Sequence, residues 1–66
     1  MYIQTCAVIR RERNRIWKEI GVNCEDYLVD VAEEAESNWP YDLQEIESCI
    51  VNEAEKVIDL FRKEGF

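Results

Sequence analysis

Sixty-six residues with no histidine, 47% hydrophobic side chains and a formal charge of −7 set the bounds before any motif is read. A chain of this size makes one domain at most, here taken as 1–66. Its apolar content is too high for a disordered acidic tail, and its charge repels nucleic acid and anionic membrane surfaces while attracting basic proteins.

The charge is also unevenly placed. Residues 1–22 hold five bases (Arg10, Arg11, Arg13, Arg15, Lys18) against Glu12 and Glu19, a balance of +3. Residues 23–66 hold thirteen acids against Lys56, Arg62 and Lys63, a balance of −10. A short basic arm therefore precedes a dense carboxylate body.

Within the arm, Ile9, Ile16, Trp17 and Ile20 share one helical face, extended backwards by Cys6 and Ile3. This spacing predicts a helix near 5–20. Arg10 and Arg13 fall inside the same arc, where their stems cover the core or their heads pair with carboxylates of the body. Arg11, Arg15 and Lys18 form a separate outward stripe. Residues 2–9 are rich in strand formers. An N-terminal edge strand there is the alternative, and it would require pairing between chains because no second strand is in sight.

Gly21-Val22-Asn23 is the sharpest local signal. Gly21 suits the left-handed position that ends a helix, with Val22 folding back over the last turn. Asn23 caps the next helix, and Asp26 lies near the positive end of its dipole. That helix is expected over 24–38, with Cys24, Tyr27, Leu28, Val31, Ala32 and Ala35 inward. Trp39 precedes Pro40 and marks its end. Asp42 then caps a last helix over 41–64, with Glu45 three residues later in a capping-box-like pair. Leu43, Ile46, Ile50, Ala54, Val57, Ile58 and Phe61 form a stripe along it, widened by Cys49, Leu60 and Val51. An arc that broad calls for two neighbours. The expected architecture is all-α, a small three-helix bundle, with Trp17, Ile20, Leu28, Val31, Ile46, Ile50, Val57 and Phe61 in the core. So small a core also favours a homodimer.

Cys6, Cys24 and Cys49 are odd in number and far apart, and the N-terminal apolar stretch runs into arginines rather than following them. No signal peptide is expected. The reading is cytoplasmic, with free thiols acting as small buried hydrophobes. Without histidine or a Cys-x-x-Cys pair, no metal ligands, catalytic residues or cofactor are assigned.

Carboxylate rows are the chemistry that is left. Asp26, Asp30 and Glu33 fall in line on the second helix, beside Glu34. Glu45, Ser48, Asn52, Glu55 and Asp59 make a second polar row on the third. Asp26, Asp30, Glu33, Glu34, Glu45, Glu55 and Asp59 are therefore the candidate partner-binding residues, able to offer a basic groove what a nucleic-acid backbone offers. The competing reading is a solvated face on a helical structural or assembly module.

Three resemblances bear on function. Residues 13–31 resemble the helix-turn-helix of small repressors at Ile16, Ile20, Gly21 and Val22. The would-be recognition helix departs from it by carrying Glu25, Asp26, Asp30, Glu33 and Glu34 and no base, which phosphates would repel. Glu33 and Glu36, with Glu55 and Asp59, resemble the Glu-x-x-Glu and Glu-x-x-Asp pairs that hold magnesium in all-helical nucleotide pyrophosphatases, although the second pair is one residue too long and a fourth helix is missing. In size and charge, but in no motif, the chain resembles small phage-encoded anti-CRISPR proteins. That likeness implies an inhibitor, without catalysis, of a CRISPR effector or another basic nucleic-acid-binding enzyme in the host cytoplasm.

Overall fold

The computed structural model describes residues 1–64. Three helices, α1 (Ile3–Ile20), α2 (Glu25–Asn38) and α3 (Leu43–Glu64), pack into a bundle 38 Å long and 17 Å by 16 Å across. The expected three-helix, all-α architecture is what folds. Residues 3–9 continue α1, so the alternative of an edge strand over 2–9 is wrong, and there is no strand among the described residues. Helix forms there despite the β-branched residues because tertiary partners hold its first turn. Glu36 of α2 accepts hydrogen bonds from the Tyr2 N–H at 2.9 Å and the Thr5 hydroxyl at 3.1 Å. A carboxylate borrowed from another helix thus sits at the positive end of α1.

The local punctuation follows the residues. Gly21 adopts φ 68°, and its N–H closes on the Trp17 carbonyl at 2.9 Å. Among the described residues no atom lies within 4 Å of where a Cβ would stand, so the glycine serves the backbone conformation rather than the space around it. The N-cap position of α2 is held by Cys24 rather than by Asn23 and has no side-chain cap bond, but Asn23 Oδ1, one residue earlier, accepts from the Glu25 N–H at 3.0 Å. At the next corner the Trp39 N–H ends α2 on the Ala35 carbonyl, Tyr41 takes a left-handed φ of 65°, and Asp42 Oδ1 accepts from the Glu45 N–H at 3.2 Å.

Ile9 and Ile16 of α1, Leu28, Ala32 and Ala35 of α2, and Ile46, Ile50, Ala54 and Ile58 of α3 form the buried cluster. It is wholly aliphatic, and its alanines let the helices approach closely. Several core expectations are corrected here. Trp17 is 59% exposed, and Ile3 is 86% exposed. Cys6 also faces out, while Ile20, Val31 and Val57 are half-buried against the cluster and Phe61 is half-buried. The inward face of α1 is Thr5, Ile9, Glu12 and Ile16, and Trp17 stands one residue, about 100°, round from Ile16. Two polar residues on the true face misled the apolar periodicity.

Among the described residues, no helix is long and apolar enough to cross a membrane.

Candidate acidic binding face

Folding spends three bases of the arm, Arg11, Arg13 and Arg15, on nearby carboxylates. Glu12, 3% exposed, receives Arg11 Nε at 3.0 Å and Arg15 Nη1 at 3.1 Å. The same arginines reach across to α3, Arg11 to Glu47 at 3.0 Å and Arg15 to Glu55 at 3.6 Å. The chain Glu47–Arg11–Glu12–Arg15–Glu55 ties α1 to α3. Both guanidiniums are held in the charged form more firmly than usual, first by the hydrogen bond to Glu12. Arg62 of α3 pairs back to Glu19 of α1. On the other flank, Arg13 reaches Glu25 at 2.9 Å. Pairing with the acidic body is therefore what Arg13 does, as are two of the outward-stripe residues, Arg11 and Arg15. Arg10 and Lys18 make no ion pair among the described residues.

The largest group of acids without an ion pair among the described residues lies on α2. That helix carries six acids and no base. Glu25 goes to Arg13, and Glu36 to the start of α1. Asp26, Asp30, Glu33 and Glu34 are exposed and have no ion-pair partner among the described residues. Asp26, Asp30 and Glu33 recur every three or four positions, roughly 5–6 Å apart along the axis, and Glu34 is one turn on from Asp30. Glu33 and Glu34 also lie toward the negative end of α2, with no basic residue in its last turn, a placement the helix dipole disfavours.

The second predicted row does not hold together as one surface. Glu45 sits at the start of α3, where its N–H meets Asp42. Glu55 is paired with Arg15, and Asp59 lines a cleft between α1 and α3 with Arg15, Glu19, Glu55 and Arg62. Two of the seven expected binding residues are thus drawn into the arginine-rich seam, because α3 presents that flank to α1. The four on α2 stay together.

Tyr27, Trp39 and Glu53 escaped the sequence reading of the site. Beside the acidic face runs a groove of about 470 Å³ between α2 and α3, bounded by Tyr27, Asp30, Val31, Glu34, Trp39 and Glu53 among others. The Tyr27 hydroxyl donates to Glu53 Oε2 at 2.6 Å. That bond holds the Glu53 carboxyl below its ordinary range and pushes the Tyr27 phenol up. Tyr27 was assigned inward, yet it is 44% exposed, and Trp39 is 47% exposed. The available signals were Tyr27 on the shoulder of an amphipathic stripe and Trp39 before the helix-ending Pro40.

The three cysteines are free. Cys6 is exposed, which corrects its assignment as a buried hydrophobe, and Cys24 and Cys49 are half-buried. Burial pushes the Cys24 thiol up, the opposite of activation. One carboxylate of each pyrophosphatase-like pair is turned to another partner, Glu36 to the start of α1 and Glu55 to Arg15. No group of three or more acidic or cysteine side chains among the described residues is arranged to hold a metal ion. No family model, curated protein or solved structure matches this chain.

Proposed function

We propose that this protein is a non-enzymatic acidic binding protein that occupies and blocks the basic surface of a nucleic-acid-handling partner, in the manner of the anti-CRISPR proteins it resembles in size and charge. One observation carries the reading. The fold neutralises acids along the α1–α3 seam and leaves Asp26, Asp30, Glu33 and Glu34 together on a helix that has no base. Acids that served only for solubility would gain from interspersed lysines, since like charges at helical i,i+4 spacing cost about 0.2–0.5 kcal/mol per pair. A row of uncompensated carboxylates suits a basic channel instead.

The test is competition. A basic nucleic-acid-binding enzyme, such as a CRISPR effector, is assayed for nucleic-acid binding with and without the protein. Reversing Asp26, Asp30 and Glu33 to Lys should abolish the blockade while circular dichroism stays helical. Raising salt should weaken it steeply, because exposed charges are screened within about 10 Å at 0.1 M. Blockade that ignores both changes would refute the charge-driven reading.

A self-associating assembly module is the second reading. Ile3 and Trp17 favour it, as large apolar side chains standing out on α1. Sedimentation of the wild type against a Trp17→Ser variant at micromolar concentration decides. A monomer in both would remove it.

A further inference from the structure

The groove between α2 and α3 has a chemistry that the acidic face alone does not. Val31, Ala35 and Cys49 contribute apolar surface, Tyr27 and Trp39 mark its ends along α2, and Asp30 and Glu34 stand on its α2 side. On the opposite side Lys56 is the only cation among the residues bordering it, and Lys56 is committed to Glu53 at 3.4 Å. Asp30 and Glu34 are one helical turn apart, about 6 Å, and neither has a cation of its own among the described residues. Within the same groove lies a half-exposed indole.

Resting on the function proposed above, we infer that this groove receives an arginine-bearing basic segment of the protein partner. One guanidinium lies against the Trp39 ring and donates to Glu34, and a second basic side chain of the same segment pairs with Asp30. Charge complementarity selects a cation. The planar fork and its capacity to stack select arginine over lysine. From Tyr27 to Trp39 the α2 side runs about 18 Å, the length of an extended segment of five or six residues.

A fluorescently labelled oligo-arginine peptide of about six residues is the probe, followed by anisotropy against the intact chain. Oligo-lysine of equal length should bind about fivefold more weakly. Trp39→Ala and Glu34→Gln should each weaken oligo-arginine binding by about fivefold to tenfold. Trp39→Phe, which keeps an aromatic face, should recover part of the loss and guards against misfolding, with helicity checked throughout. In a Trp17→Phe background, where Trp39 is the remaining tryptophan, the peptide should change its emission saturably.

Unchanged affinity in Trp39→Ala, equal binding of lysine and arginine peptides, or no binding at all would overturn the groove assignment. If reversal of Asp26 and Glu33, which lie outside the groove, removes binding while Trp39→Ala and Glu34→Gln do not, the groove falls and the acidic-face reading stands. If partner blockade is insensitive to salt and to every acid, that broader reading falls as well. Dimerisation lost on Glu34→Gln would give the groove to a second copy and overturn the inference.

Discussion

The α1–α3 seam and the outer face of α2 are built from the same residue type and do opposite things with it. In the seam, Glu12, Glu47 and Glu55 are threaded between Arg11 and Arg15, and Glu19 meets Arg62. On α2, Asp26, Asp30, Glu33 and Glu34 stand with no cation among the described residues. The contrast shows where carboxylates act as structure and where they are left available. It also explains how a strongly acidic chain folds at all. Glu12, Glu19, Glu47 and Glu55 are compensated along the α1–α3 seam, and repulsion on the outer face of α2 is screened by water.

Both regions rest on the same aliphatic cluster, so the largest effect lies beneath them. Ile50 is fully buried. Ile50→Asp places an unpaired charge there at a cost of several kcal/mol, against a total stability of roughly 3–10 kcal/mol for a domain of this length. The variant should lose its helical circular dichroism at 25 °C. A folded Ile50→Asp protein would break the packing scheme and the comparison with it.

The comparison itself predicts an asymmetry between two glutamates. Glu12→Ala removes the acceptor shared by two arginines and should destabilise the domain by about 2 kcal/mol in urea. The loss stays below that of a fully buried pair because Arg11 and Arg15 are 56% and 41% exposed and can turn to water. Glu33→Ala should stay within about 0.5 kcal/mol of wild type. Equal losses would erase the distinction between seam and face.

Asp30→Asn sharpens the comparison by reversing the sign. It relieves like-charge contact with Asp26 and Glu34 one turn to either side, and should raise stability by about 0.4–1 kcal/mol for the two pairs while weakening partner blockade. A thermal melt paired with the competition assay reads both. Stabilisation with undiminished blockade would show that Asp30 faces no partner.

The smallest effect is a pH dependence. The Glu53 carboxyl is held below its ordinary value of 4.5, and the Tyr27 phenol above its ordinary value of 10.0. The lowered carboxyl contributes stability that is present above 4.5 and lost as pH falls through its folded value. The raised phenol contributes stability that is present below 10.0 and lost as pH rises through its folded value. The pair therefore supports the fold between these limits. Tyr27→Phe should flatten both edges of the stability–pH curve, and edges that persist in the variant would assign them to other groups.

Much of this protein was legible in its residues. Gly21, Asn23, Pro40 and Asp42 act through their own backbone preferences and short-range hydrogen bonds, which need no distant partner. The inner helix boundaries followed from them to within two residues. The wide apolar stripe of α3 likewise announced two neighbours, and the separation of basic arm from acidic body is a property of the chain before it folds. Tertiary structure decided the rest. Thr5 and Glu12 face inward because Glu36, Arg11 and Arg15 meet them across or along helices, and no periodicity of apolar residues can reveal a polar side chain satisfied by a remote partner. Trp17 was displaced from the core by that rotation of α1. Packing also determined which carboxylates were compensated, drawing Glu55 to Arg15 and leaving Asp26, Asp30, Glu33 and Glu34 to the solvent, because charge pairing depends on distances of a few ångströms that form only when the helices meet.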